Sequence, residues 1–344
     1  MKKVVFCGGG TAGHVMPNIA IIEKLKGKAE LHYIGGSGME KDILKKYPFV
    51  KYHEIRTTKL IRKLTLKNLA IPFKLMTSIC DARKALKEIK PDVIFSKGGF
   101  VSVPVVMAHG KIPVLAHESD FTMGLANKLI YPRCKTMFFS FESTAKKYAK
   151  KGVYCGTPIR NEIFSGNKEK LKRELKITNN LPNVLVVGGS SGASALNDII
   201  ASNIKVLTAK YNILHICGKN KPTNATSPNY YKFDYVNNIG DFLALSDIVV
   251  SRAGSNAIFE FLALKKPMIL VPLPLDQSRG DQILNAKYFE NKGWAKVVPQ
   301  EELNQDTLLN ALKVAPALTA ALKKSSAQKN ATEIILKEMK KYLK

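Results

Sequence analysis

Short apolar runs broken by polar, glycine-bearing turns recur through both halves of this chain. In the first half they occupy residues 3–7, 30–34, 93–95, 114–117 and 136–139; in the second, 184–187, 211–217, 248–250 and 268–272. Stretches with helical character follow them, such as 19–25 and 195–206. Apolar runs of this length alternating with helices are the mark of parallel strands covered on both faces. Pro91-Asp92 and Lys266-Pro267 stand just before two of the runs and punctuate helix-to-strand turns. The pattern predicts an α/β chain with two parallel sheets. Near Tyr154-Cys155-Gly156-Thr157-Pro158 a short apolar strand meets Gly and Pro, which divides the chain into domains 1–157 and 158–344. Residues 220–229 (NKPTNATSPN) read as a surface loop. Residues 318–343 read as a Lys-rich amphipathic helix or helix pair, whose last part can pack back on the first domain.

Two of the turns are glycine-rich and open their halves of the chain. Gly8-Gly9-Gly10-Thr11-Ala12-Gly13-His14 follows the first run, and Gly188-Gly189-Ser190-Ser191-Gly192-Ala193 follows 184–187. Glycine lets the backbone turn sharply and approach a ligand, and the helix behind offers N–H groups and a partial positive charge to a phosphate. Paired loops of this kind predict twin nucleotide-binding domains facing one cleft.

Composition narrows the classes. A length of 344 residues with 45% apolar content suits two ordinary cores. No window approaches the roughly 18–20 consecutive apolar residues of a membrane span, and the N-terminus carries no signal-peptide core. The five cysteines are scattered and lack a C-x-x-C pair, which predicts buried reduced thiols rather than a metal site. The formal charge is +27, and it is uneven. Residues 1–160 hold 29 Lys and Arg against 11 Asp and Glu, a surplus of 18; the remainder holds 25 against 16, a surplus of 9. An anionic membrane, nucleic acid or phosphorylated substrates all suit such a charge, as does simple solubility.

Several turns carry candidate chemistry. Gly8-x-Gly10-x-x-Gly13 matches the dinucleotide fingerprint, but the second strand ends in Gly35-Gly36-Ser37-Gly38 with no carboxylate for a ribose, which argues against a nicotinamide cofactor. His14, where the first loop enters its helix, can take a proton from a substrate hydroxyl or simply pack its loop. Ser96-Lys97-Gly98-Gly99-Phe100 is a third glycine turn at a strand's carboxyl end, where open α/β sheets place ligands. In His117-Glu118-Ser119-Asp120, Glu118 and Asp120 can orient hydroxyls or a base, while Ser119 or Asp120 can equally cap a helix. Ser251-Arg252-Ala253-Gly254-Ser255-Asn256 leaves room at a helix start, and Glu260 on the next turn can accept from both ribose hydroxyls. The Gln282 amide can both donate to and accept from a sugar.

Taken in order, Gly9-Gly10-Thr11-Ala12-Gly13-His14-x-x-Pro17, Gly98-Gly99-Phe100-x-Ser102-x-Pro104, His117-Glu118, Gly156-Thr157-Pro158-x-Arg160, Gly188-Gly189-Ser190-x-Gly192-Ala193, Ser251-Arg252-Ala253-Gly254 and Asp281-Gln282-x-x-Asn285-Ala286 span nearly the whole chain. This set resembles the undecaprenyl-diphospho-muramoyl-pentapeptide N-acetylglucosaminyltransferases (the MurG family, glycosyltransferase family 28). The resemblance implies a GT-B fold: two Rossmann-like domains facing a cleft, acceptor in the first, sugar nucleotide mainly in the second. It implies inverting transfer of GlcNAc from UDP-GlcNAc to the C4 hydroxyl of the muramoyl sugar of lipid I, giving lipid II. Carried over by position, Ser190 would meet the diphosphate, Arg160 the donor phosphate or sugar, and Val236 the uracil. Ser255, Asn256 and Glu260 would hold phosphate and ribose, and Gln282 the GlcNAc hydroxyls. Thr11, Ala12, Gly13 and His14 would lie by the reacting sugar and the acceptor diphosphate, with His14 as base and Glu118 as its orienter or rival. Many relatives carry Asn at the position of Asp120 and a second Gln at that of Asp281, and an ionised carboxylate accepts where an amide also donates. No cofactor or metal is implied, and no Asp-x-Asp is present.

A lipid-tethered acceptor calls for a membrane-facing surface. Residues 55–80 hold no Asp or Glu, and Arg56, Lys59, Arg62, Lys63, Lys67 and Lys74 interleave with Leu60, Ile61, Leu64, Leu66, Leu69, Ile71, Phe73 and Leu75. Such a segment can insert apolar side chains at headgroup level while its cations meet anionic lipid. The expectation is a peripheral protein on the cytoplasmic face of the membrane. The alternatives are a GT-B transferase using another lipid such as diacylglycerol, and a UDP-sugar epimerase. A nucleic-acid-binding protein would leave the paired glycine loops unexplained, and no nucleic-acid-reading motif is present.

Overall fold

A computed structural model of the chain describes residues 1–57, 71–188, 193–218, 224–325 and 331–343. It divides into two compact units, Met1–Arg160 with Lys329–Lys344, and Asn161–Gln328.

The first unit holds strands β1 (Lys3–Cys7), β2 (Glu30–Gly35), β3 (Val50–Glu54), β4 (Val93–Ser96), β5 (Val114–Glu118), β6 (Thr136–Phe139) and β7 (Gly152–Tyr154). They form one all-parallel sheet in the order β3-β2-β1-β4-β5-β6-β7. Because side chains alternate along a strand, its apolar runs fill two cores at once. Val4, Phe6, Leu31, Tyr33, Val93, Phe95, Leu115 and Phe138 go to one face. Val5, Cys7, Ile34, Ile94, Val114, Ala116, Met137 and Phe139 go to the other. The closing helix Ala331–Met339 joins the first of these cores through Ala331, Ile335, Leu336 and Met339, near helix Ala12–Leu25. Thr136 Oγ1 donates to its Glu338 at 3.4 Å.

The second unit holds β8 (Asn183–Val187), β9 (Asn212–Ile216), β10 (Tyr230–Phe233), β11 (Ile248–Ser251), β12 (Met268–Leu270) and β13 (Ala295–Val297). These too are all parallel, ordered β10-β9-β8-β11-β12-β13. In each sheet the strand order reverses direction at the centre, between β1 and β4 and between β8 and β11. That is the place where an open α/β sheet leaves a crevice outside its carboxyl ends.

Three strands lie outside the sequence expectation: β3, β10 and β13, all at sheet edges. Helix Ala12–Leu25 starts seven residues before the expected 19, so Gly13 and His14 lie in its first turn. The expected 195–206 helix is two, Ser194–Ser202 and Ile204–Thr208, broken at Asn203. Four cysteines are buried and unpaired as expected, but Cys80 is exposed on helix Ile71–Ile89. No helix among the described residues is long and apolar enough to cross a membrane.

Candidate functional site

The carboxyl ends of β1, β4 and β5 bring three sequence-predicted turns together. Lys97 N–H donates to Cys7 O at 2.9 Å, which extends the β1–β4 ladder by one bond. Gly99 has φ +79°, and a methyl group there would stand 2.6 Å from Gly9 O and 3.1 Å from His14 Cδ2. The imidazole of His14 therefore lies against a turn that only glycine can make. His14 Nδ1 is 3.3 Å from Lys97 O. A carbonyl only accepts, so Nδ1 carries the proton and the basic lone pair is on Nε2. Thr11 is exposed, while Ala12, Gly13 and His14 are half-buried.

Glu40, which the sequence reading passed over, is buried behind the first loop. Its Oε1 accepts from Gly36 N at 3.0 Å and its Oε2 from Gly10 N at 3.2 Å. One amide of the loop expected to receive phosphate is thus occupied by the chain's own carboxylate. A carboxylate does stand just past the end of β2, then, but it faces backbone amides. Tyr33 Oη donates to Gly8 O at 2.6 Å, and Asn18 Nδ2 donates to Tyr33 Oη and Cys7 O, so the loop is braced from below.

Glu118, buried at the end of β5, accepts from Asp120 N (3.0 Å), Gly124 N (2.8 Å) and Asn127 Nδ2 (2.9 Å). Three donors hold both oxygens in place. Asn127 also donates to His117 O at 3.2 Å. His117 is wholly buried and donates from Nε2 to Gly156 O at 2.8 Å, which ties the Gly156-Thr157-Pro158 turn to β5. Burial, with help from the nearby Lys97 charge, holds its imidazole well below the ordinary range, so it stays neutral. Lys97 itself is 1% exposed and donates from Nζ to Ser119 Oγ at 2.5 Å. Burial pushes its ammonium down to about 8, against the pull of Glu118, Asp120 and Cys155. Arg160, at the end of the Gly156 turn, exerts its charge on Glu23 and Tyr47. Burial raises Glu23 and Arg160 opposes the rise.

In the second unit, β11 runs through Arg252-Ala253-Gly254 into helix Ser255–Ala263, whose N-cap Gly254 has no side chain to cap it. A methyl group added at Gly254 would meet no atom within 4 Å. Ser255 is buried, and Asn256 and Glu260 are half-buried on the first turns of this helix. Arg252 clamps the neighbouring loop: Nη1 donates to Val271 O at 3.1 Å and Pro272 O at 3.4 Å, and Nη2 to Gln300 Oε1 at 2.6 Å. Asn285 Nδ2 donates to Ala253 O at 3.2 Å and fixes the turn from the other side. Gln282 Oε1 accepts from Leu273 N at 3.1 Å, which leaves its NH2 as the group to offer a sugar. Asp281 pairs with Arg279 at 2.5 Å in the first turn of helix Asp281–Asn291, where the helix dipole favours a carboxylate. Val236 is half-buried in the loop after β10. Ser190 lies outside the described residues, as do all the basic-apolar positions between 58 and 70.

A groove of about 780 Å³ opens elsewhere in the first unit, beside β3, lined by Arg56, Asp81, Lys84 and Glu88 among others. Arg56 is engaged there by a bidentate pair with Asp81 (2.7 and 2.6 Å), and none of the sequence-predicted site residues lines it. Among the described residues no group of three or more His, Cys, Asp or Glu can hold a metal ion.

Sequence comparison agrees with this layout. Residues 4–139 match the glycosyltransferase family 28 N-terminal domain, and residues 183–342 the glycosyltransferase family 28 C-terminal domain. The solved UDP-GlcNAc 2-epimerase of Neisseria meningitidis shares the fold at 14% identity (TM-score 0.68, 99% of this chain and 100% of that one). The crystal structure of Acinetobacter baumannii MurG is 25% identical with a TM-score of 0.75, covering 99% of this chain and all of that one. A Clostridium tetani UDP-N-acetylglucosamine–N-acetylmuramyl-(pentapeptide) pyrophosphoryl-undecaprenol N-acetylglucosamine transferase is 50% identical over 319 residues, 90% of this chain and 89% of that protein. Identity at that level over almost the whole length separates transferase from epimerase where fold alone does not, and the chain belongs to this N-acetylglucosamine transferase family of glycosyltransferase family 28.

Proposed function

We propose that the chain moves GlcNAc from UDP-GlcNAc to the C4 hydroxyl of the muramoyl sugar of lipid I, with inversion, and so makes lipid II. The observation that carries this reading is the half-identity to the Clostridium tetani transferase over nine-tenths of the chain. The geometry supports it with a histidine whose basic nitrogen is set by the Lys97 carbonyl at a sheet's switch point.

In this mechanism the first unit takes the acceptor and the second the sugar nucleotide. His14 Nε2 removes the proton of the C4 hydroxyl, whose oxygen attacks the anomeric carbon as the bond to the diphosphate breaks. The electron pair of that bond leaves on UDP. Charge growing on the diphosphate meets the start of helix Ser255–Ala263 and the Ser190 loop. A well-placed donor of this kind is worth about 3 kcal/mol in the transition state. Glu260 takes the ribose hydroxyls, the Val236 backbone the uracil, Gln282 Nε2 the GlcNAc hydroxyls and Arg160 the donor. Thr11, Ala12 and Gly13 line the acceptor side, and Glu118 keeps the 117–120 loop in place for Asp120 to meet sugar.

The protein works at a membrane surface as a peripheral enzyme, on the cytoplasmic face where UDP-GlcNAc is found. Phe73 and Met76 stand 77% and 64% exposed beside Lys74 on helix Ile71–Ile89, which suits insertion at headgroup level. Replacing Leu60, Ile61 and Leu64 with Ser is expected to weaken flotation with anionic liposomes; unchanged binding would remove that segment from the account. The activity is tested with labelled UDP-GlcNAc and either lipid I or diacylglycerol. Label is expected on lipid I. Label on diacylglycerol, or free ManNAc released without acceptor, would replace this reading with a different lipid transferase or an epimerase.

A further inference from the structure

The mechanism above leaves Lys97 unused. Its ammonium has three donors, yet its one hydrogen-bond acceptor among the described residues is Ser119 Oγ. Keeping a charge in so dry a place is costly, and an apolar side chain of the same length would fill the space without that cost. What answers the charge is the acid on the loop it touches. His117 is held neutral and burial keeps the Cys155 thiol protonated, so Glu118 and Asp120 are the charged groups that pull on it. Glu118 is pinned by three donors, one of them the backbone N–H of Asp120, so its charge cannot swing away and the two acids are tied into one loop. Lys97 also touches the candidate base, because its carbonyl receives His14 Nδ1.

Through Lys97 the 117–120 loop is joined to the His14 turn, and its two carboxylates would repel an acceptor that arrives there on a diphosphate. We propose that Lys97 is a positioning residue whose buried ammonium offsets one of the two carboxylate charges of the 117–120 loop, so that an anionic, diphosphate-linked acceptor is admitted beside His14. The proposal rests on the functional reading above and adds to it a residue, a charge balance and a partner, Asp120.

The test is a double-mutant cycle on the full chain, with UDP-GlcNAc and lipid I in detergent micelles. Lys97→Met is expected to raise the acceptor KM about tenfold, as uncompensated like charge does, with the donor KM held within about twofold. Adding Asp120→Asn should bring the acceptor KM back to within about threefold of wild type. Rescue separates the two roles: a residue that only supports the fold would not have its acceptor KM restored by Asp120→Asn, which removes a charge from the neighbouring loop. A second measurement needs no change at Lys97. The wild-type acceptor KM should climb as pH rises through 8, where the ammonium loses its proton, and Asp120→Asn should flatten that climb. A wild-type chain that glycosylates lipid I while Lys97→Met leaves acceptor KM unchanged, or while Asp120→Asn rescues nothing and flattens nothing, overturns this proposal alone. A wild-type chain that leaves lipid I unglycosylated removes both.

Discussion

The two parallel sheets reverse their strand order in the same way but differ in what lies at the reversal. Past β1 and β4 the backbone is closed over by the chain's own side chains: Glu40 on the Gly10 and Gly36 amides, Phe100 on Gly10, His14 on Gly99. Past β11 the N-cap of helix Ser255–Ala263 is Gly254, which has no side chain to cap it, and no atom lies near the place a side chain would take. One scaffold thus serves two ends. Under the proposed mechanism the first end would hold a base in register with buried polar groups that bond each other, and the second would receive an anion at a helix start that its own N-cap glycine leaves open.

The sharpest way to break this contrast is at the base. His14→Ala is expected to lower kcat for lipid I about a thousandfold while UDP-GlcNAc binding by calorimetry stays within about threefold, because most of the proposed donor contacts belong to the other unit. A near wild-type rate would end the candidacy of His14. The closed character of the first turn predicts that Gly99→Ala costs about 3 kcal/mol or more of stability in denaturant titration, from a left-handed φ and a 2.6 Å clash with backbone.

A pH effect of similar size is expected in the second unit. Burial pushes His215 down to about 4, and its ring nitrogens are held by Tyr230 Oη and Asn197 Oδ1, both at 3.0 Å. The unfolded chain binds this proton near 6.5 and the folded one only near 4. Stability contributed by the neutral ring is therefore full above pH 6.5 and falls as pH drops toward 4, by about 3 kcal/mol. Melting curves between these pH values check it, and His215→Gln should flatten them. The smallest effect belongs to the open turn. Gly254→Ala has space and an ordinary φ of −66°, so stability should move by less than about 1 kcal/mol, while UDP-GlcNAc binding weakens as the helix start is covered. A large stability loss there would mean that the turn is closed after all.

What the hydrophobic pattern revealed and what it missed have one cause. The interior strands β1, β4, β8, β11 and β12 are apolar apart from one end residue in most of them, because helices cover both faces, and the pattern finds them. Edge strands β3 (VKYHE), β10 (YYKF) and β13 (AKV) are short and half-solvated, so their mixed polarity hides them. The candidate residues His14, Glu118 and Gln282 could be picked out because glycine turns mark the strand ends that carry them. Glu40, Asn127 and Arg252 act through bonds to residues as far as 30, 10 and 48 positions away, and spacing carries no trace of such partners. Lys97 was visible as a letter in a glycine turn; that it is buried was not.

From its letters alone the chain declared two parallel α/β halves, a glycine turn at the head of each and its kinship with a lipid-linked sugar transferase, because these depend on local periodicity and on short contiguous motifs. Tertiary structure decided which groups are dry and what they touch: the carboxylate behind the first loop, the ammonium under Ser119 and the tautomer of His14. Burial and pairing are set by strands far apart in the chain, and it is they, rather than residue type, that determine the charge and proton each side chain carries.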